Sequence, residues 1–373
     1  MAALEGIRVL DFSTLLPGPL AGLMLAEAGA EVIKVERPEA GDDMRGYEPR
    51  LGGTGVGFSL LNRGKRSLML DLRDPSVVRA LLSFVAEVDI VIEQFRPGVM
   101  ERLGLSYQAL RAVNPRIIYC SITGYGADGP KRDVAGHDLS YLADVGLLAL
   151  SAGSDGMPGV PPTLIADIGA GSFPAVLNIL LALRTRDRTG EGCHLDISMT
   201  DNLFVFAFWA LASGHGTGRW PKPGQELLTG GSPRYRIYRT EDNRFVAVAA
   251  LEDKFWHAFC QLIELPRNLW DDRLAPGETI AGVAQKIASH SFAFWTEALN
   301  GKDVCCSVVR TLDEALADDH YRQRGLFEDK VVVSSGLLPA LPVPIVAAFR
   351  RKLPADAAPA AGQDNDWLSR EST

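Results

Sequence analysis

Over roughly its first half the chain alternates short β-branched apolar runs with longer stretches of helical periodicity, and few architectures accept that rhythm. Residues 7–12, 31–36, 67–72, 89–95, 117–123 and 193–199 read as buried strands. Between them lie helices. Residues 17–28 carry Leu20, Leu23 and Met24 on one face, with Gly29 as a stop. Asp74-Pro75 opens another helix, Asp as cap and Pro where a missing N–H costs nothing, with Val77, Val78, Leu81, Leu82 and Val85 as its apolar stripe. Parallel strands need crossovers, and each helix supplies one, so a mostly parallel sheet covered by helices is expected. Residues 173–184 and 200–212 are further apolar helices.

The pattern changes after a Gly/Pro-rich stretch at 213–232, read as a linker. Residues 235–239 and 244–249, joined by Thr240-Glu241-Asp242-Asn243, form a hairpin, and helices at 254–263 and 280–299 follow. A length of 373 residues suits two domains. The expected division is a large α/β domain at 1–200, a linker at 201–232, a small α+β domain at 233–322, and a return to the large domain at 323–373, with 354–362 extended or loosely packed.

Hydrophobic residues make up 47% of the chain, enough for a large core, and the net charge of −8 argues against nucleic-acid or anionic-membrane partners. The five cysteines include no C-x-x-C pair, which favours a reducing, cytoplasmic setting. No signal-peptide pattern opens the chain. The most apolar stretch, 173–183, is too short to span a bilayer. Nucleotide motifs fail: Gly52-Gly53-Thr54-Gly55-Val56-Gly57 lacks the G-x-G-x-x-G spacing, and there is no Walker A sequence. Ser154 misses the G-x-S-x-G elbow by one position. His194, His215, His257, His290 and His320 have no metal-ligand spacing.

His137 and Asp167 each sit beside glycines at an expected turn, where a side chain can face a cleft. An imidazole and a carboxylate on opposite faces of a carbon acid make a two-base proton-transfer site.

Five segments carry a resemblance. They are Gly18-Pro19-Leu20-Ala21-Gly22 with residues 31–38, Asn62-Arg63-Gly64-Lys65-Arg66-Ser67, Gln94-Phe95-Arg96-Pro97-Gly98-Val99, and residues 123–130. In this order the chain resembles the class III CoA-transferase superfamily from residue 6 to about 345. The resemblance implies a doubly wound, Rossmann-like large domain, a small domain, and two subunits interlocked as a homodimer. It implies acyl-CoA as substrate and no prosthetic group. Arg37, Arg63, Lys65, Arg66 and Arg96 then form a local basic cluster for the CoA phosphates, near the ligand-binding edge of an open α/β sheet, with Gly124 and Tyr125 beside them.

The superfamily holds two chemistries. In its transferases the carboxylate matching Asp167 is a nucleophile. In its α-methylacyl-CoA racemases it exchanges protons with a His, and His137 stands at that position, with a matching separation from Asp167. Glu252 matches the racemase carboxylate that pairs with the His, and Asp138 is a rival partner. The expected activity is epimerisation of 2-methylacyl-CoA thioesters, the enolate oxygen being held by backbone N–H groups at Asp167 and the helix beyond. CoA transfer to a free acid is the alternative, and CoA-ester binding without turnover a third.

Overall fold

The β-branched runs assemble into one parallel sheet. The computed structural model describes residues 2–151, 156–351 and 355–367. Its strands are β1 (Arg8–Asp11), β2 (Glu31–Glu36), β3 (Arg66–Met69), β4 (Ile90–Glu93), β5 (Ile118–Thr123) and β6 (Cys193–Ser198). They lie in the order β3-β2-β1-β4-β5-β6, each pair parallel. The first three strands build outward in one direction and the next three in the other. The reversal falls between β1 and β4, so the loops leaving their C-terminal ends diverge and open a crevice.

Side-chain alternation sorts the two faces. Leu10, Ile33, Val35, Leu68 and Val91 pack against Leu81, Phe84 and Leu110. These last come from the crossover helices, which complete the set α1 (Pro17–Glu27), α2 (Val56–Asn62), α3 (Pro75–Phe84) and α4 (Tyr107–Val113). The Asp74 carboxylate caps α3 by accepting from Ser76 N, as its Asp-Pro start requires. The other face is covered by α1. That helix is buried all round, from Pro17 to Ala26, rather than along one stripe. It has the sheet on one side, and Leu61 and Val343 pack with Leu20, Leu23 and Met24.

Later helices of this unit are α5 (Asp138–Asp144), α6 (Phe173–Thr189) and α7 (Met199–Leu203). A π-helix over Ile165–Ser172 runs directly into α6. Together they make a helical run, Ile165–Thr189, that is long and apolar enough to cross a bilayer by length and composition, which corrects the shorter expected span. Here α6 packs on β5 and β6.

The chain divides into two compact units. The larger comprises Met1–Val145, Pro161–Val205 and His320–Thr373, and the second Gly146–Val160 and Phe206–Asp319. In the second unit helix α8 (Phe208–Thr217) runs through the first quarter of the expected 213–232 linker and ends at Gly218, φ 70°. Strands β7 (Tyr235–Arg239) and β8 (Phe245–Ala249) form the expected hairpin, and β9 (Cys306–Val308) adds a third strand. Helices α9 (Asp253–Leu262), α10 (Pro276–Ala288) and α11 (Phe292–Leu299) cover it, around a core of Val246, Trp256, Phe259, Val283 and Trp295. The single helix expected at 280–299 is two, because the Ser291 hydroxyl accepts from Phe294 N and starts a new one.

The last segment forms β10 (Lys330–Val333), β11 (Gly336–Pro339) and β12 (Ala355–Ala357), in the order β11-β10-β12. Of the stretch 354–362 expected to be extended or loosely packed, residue 354 lies outside the described residues and the rest is tied down: Ala355–Ala357 pairs with β10, Arg45 donates to Pro359 O at 3.1 Å, and Gly362 N donates to the Ser67 hydroxyl at 2.9 Å. The Asp364 carboxylate accepts from Ser67 N at 3.0 Å and Asn365 Oδ1 from Met69 N at 2.8 Å, so side chains from the tail satisfy the outer edge of β3. Trp367 meets Phe84 edge-on at 4.8 Å between centroids.

Candidate active site

The crevice predicted by the strand order is a cavity of about 520 Å³, lined from three strand ends and one helix start. The loop after β1 supplies Leu15, Leu16 and Pro17, and that after β4 supplies Gln94, Phe95, Arg96 and Pro97. From the end of β5 and beyond come Thr123, Gly124, Arg132, His137 and Tyr141, and the π-helix contributes Asp167.

His137 and Asp167 thus share one cavity, and the backbone explains how. His137 is the N-cap of α5, in an extended conformation. The Ser140 hydroxyl accepts from His137 N at 2.8 Å and donates to His137 O at 2.7 Å, which fixes the turn. The next residue, Asp138, is buried, and one oxygen of its carboxylate accepts from Ala166 N at 2.7 Å and Asp167 N at 3.0 Å. A single side chain therefore ties the His137 turn to the first turn of the π-helix. This corrects one expectation: the Asp167 N–H already has an acceptor, so it is not a donor for an enolate oxygen. One oxygen of Asp138, the rival partner for the imidazole, is committed to that backbone. A π-turn widens the helix and leaves more backbone groups at its start outside the ladder, which is why such turns recur at functional sites.

Burial pushes the Asp167 carboxyl up to about 6; the Asp138 charge adds to the rise and His137 opposes it. Burial also lifts the Tyr141 hydroxyl to about 12, and the Asp167 charge contributes. Tyr141 donates to Gly136 O at 2.9 Å and meets Tyr125 edge-on at 5.4 Å between centroids. A Cβ at Gly124 or Gly136 would collide with the Tyr141 ring, so both positions require glycine. Gly124 lines the cavity, and Tyr125 stands behind Tyr141.

The expected basic cluster is dispersed. Arg96 alone of the five lines the cavity. Arg37, after β2, is exposed and pairs with Asp43. Lys65 is wholly buried, its ammonium donating to Asp11, Asn62 and Pro19 O at 2.9–3.0 Å. With all three protons taken, it has none for a phosphate. Arg63 is an interior residue that binds Glu27 and Leu341 O. Arg66 begins β3 and therefore sits at the N-terminal edge of the sheet, paired with Glu31 and Asp364. Proximity in sequence to a strand did not say which end of it a side chain served. Arg132 lines the cavity instead.

Glu252 belongs to the second unit, where it is the exposed N-cap residue of α9 and its carbonyl accepts from Phe255 and Trp256 at 3.0 Å. Ser154 lies outside the described residues. Among the described residues no cluster of His, Cys, Asp and Glu could hold a metal ion. Sequence reasoning missed Tyr141 and Gln94. Tyr141 had a signal, since it follows His137 by one helical turn and so shares its face. Gln94 had none.

The sequence profile of CoA-transferase family III matches residues 4–365. The chain belongs to that family. Among family III relatives, an α-methylacyl-CoA racemase of Mus musculus is 37% identical over 87% of this chain and 82% of its own. A succinate–glutarate CoA-transferase of Agrobacterium fabrum is 33% identical over 92% of this chain and 89% of its own. The crystal structure of a CaiB/BaiF family protein from Brucella suis superposes with a TM-score of 0.83 at 28% identity and covers 100% of both chains. Family III thus contains racemases and CoA transferases, both of which act on CoA thioesters, and this chain resembles members of each kind.

Proposed function

We propose that this protein interconverts (2R)- and (2S)-2-methylacyl-CoA thioesters by two-base 1,1-proton transfer. The observation that carries the reading is the pairing of His137 with Asp167 in one cavity, with the carboxyl raised to about 6. A carboxyl raised to about 6 is still mostly ionised at neutral pH and could also serve as a nucleophile, so it is the imidazole sharing the cavity that favours proton transfer. As a proton donor the carboxyl gains from the rise, because a useful fraction then holds its proton. In one direction neutral His137 removes the α-proton and the thioester becomes an enolate. Protonated Asp167 then delivers its proton to the opposite face, which leaves imidazolium and carboxylate. The reverse reaction exchanges the roles. Glu252 keeps the role of imidazole partner only through its match to the racemase carboxylate, and it does not line this cavity. Arg37 and Arg96 hold CoA phosphates, with Gly124 and Tyr125 along the pantetheine arm.

A homodimer is part of the proposal. Phe173, Leu177, Leu180 and Leu181 form one exposed apolar face of α6, and Phe204, Val205, Phe206, Phe208 and Trp209 are exposed nearby in sequence. Apolar faces of this extent are usually covered by a partner, and a second copy is the commonest one. A cytoplasmic location is proposed from the five unpaired cysteines.

The second reading, CoA transfer through Asp167 to a free acid, is favoured by the transferase relative. One experiment separates them: a chiral 2-methylacyl-CoA in deuterated water, with and without a free-acid acceptor. Loss of chirality with deuterium at the α-carbon, independent of acceptor, supports the racemase. Acceptor-dependent CoA transfer without deuterium uptake refutes it.

A further inference from the structure

Leu15 lines the cavity with its backbone in the left-handed region, φ 62°, which a leucine rarely adopts. The surrounding structure imposes it. Asp42 Oδ1 accepts from Leu15 N at 3.1 Å and from Met44 N at 2.9 Å. Its other oxygen pairs with Lys34 at 2.8 Å, both side chains being fully buried. Lys34 also donates to Ser13 O at 2.7 Å, and Gln94 grips the far side by donating to Thr14 O at 2.7 Å and accepting from Gly18 N at 3.0 Å. An ion pair buried beneath a loop therefore holds a branched apolar side chain in the wall of the cavity that contains Asp167.

We infer that Asp42 is a positioning residue and that Leu15, set by it, is a specificity-determining wall for the branched acyl group. The inference rests on the proton-transfer reading. An α-carbon within reach of Asp167 and His137 has its substituents against the walls of the same cavity, and Leu15, Leu16 and Pro17 are one of them. Without the clamp Leu15 relaxes to negative φ and its side chain leaves the wall.

The test compares kcat/KM for deuterium wash-in with 2-methylbutanoyl-CoA and 2-methyldecanoyl-CoA. Leu15→Ala is expected to move the long-to-short ratio toward the longer chain by roughly tenfold, the discrimination a few methylenes give in an apolar pocket. Asp42→Ala should move it in the same direction. Asp42→Asn keeps an oxygen for the Leu15 N–H and should hold the wild-type ratio. If Asp42→Ala does not fold, the double variant Lys34→Met, Asp42→Ala removes both buried charges, so that neither is left unpaired, and carries the same expectation. A wild-type ratio in Leu15→Ala, or equal losses on both thioesters in the clamp variants, overturns the inference. Should the wild-type enzyme wash deuterium into neither thioester, the proton-transfer reading fails by itself. The wall is then read from rates of CoA transfer to acids of the same two chain lengths, with the same ratios expected.

Discussion

A carboxyl that titrates near pH 6 can give and take a proton at neutral pH, and Asp167 reaches that range chiefly because it is desolvated. The consequence for catalysis is a division of labour that substitution exposes. His137→Ala should abolish interconversion of epimers yet leave slow, stereoretentive deuterium exchange by Asp167 into one of them. Asp167→Ala should leave exchange into the other, and NMR of the recovered thioesters reads both. The same shift has a cost in stability. The folded state holds this proton more tightly than the unfolded chain does, so its contribution is favourable below pH 3.8 and is lost as pH rises through about 6. Asp167→Asn should therefore raise Tm at pH 7–8 and not at pH 3. The expected gain is roughly 1–2 kcal/mol once partial exposure is discounted. Arg96→Ala and Arg37→Ala should each weaken CoA-ester binding by about 1.5–3 kcal/mol, measured by calorimetry, without loss of fold. Unchanged affinity in both would remove them from the site. The two proposed acid–base residues were legible because their residue types beside glycines carry chemistry. The roles of Lys65 and Arg63 were not, because a local stretch of sequence does not report whether a distant carboxylate such as Asp11 or Glu27 waits inside.

At the level of elements, the short strands were readable to within a few residues, since β-branched runs buried on both faces have no competing interpretation. The π-helix was not. The stretch Ile165–Ser172 is rich in Ala and Gly, and its composition does not separate an i+4 ladder from an i+5 one. The buried Asp138 carboxylate accepts from two N–H groups in its first turn, as a cap would for either ladder. Asp138→Ala should thus destabilise the protein by about 2–4 kcal/mol in denaturant titrations, since two buried donors lose their acceptor. Asp138→Asn keeps an acceptor oxygen and removes the charge that raises Asp167. Its pH–rate profile should shift to lower pH on the limb set by Asp167, with most of the stability retained. An unshifted limb would mean that Asp138 does not act on that carboxyl. The start of helix α8 lay inside the helix expected at 200–212, but its end did not, since Gly214 to Thr217 carry turn chemistry that packing overrides: a Cβ at Gly214 would strike Trp220.

For the whole molecule, alternation in the first half of the sequence contained the parallel sheet, while its reversal was expected only from the family resemblance, because right-handed crossovers limit the strand orders without choosing among them. The excursion of Gly146–Val160 to the second unit had no sequence signal. Light scattering at micromolar concentration should find a dimer, and Leu177→Glu with Leu181→Glu on the exposed face of α6 should weaken it. A fully active monomer in the wild-type protein refutes the assembly.

Among the described residues, the outer edge of β3 is closed by Asp364 and Asn365. During synthesis that edge emerges 297 residues before its cover. Until then the nascent sheet offers open N–H groups to any neighbouring strand, as unpaired edges do. Yield in the cell is therefore a matter of timing as well as of final stability, and removal of residues 362–367 would leave that edge open for good.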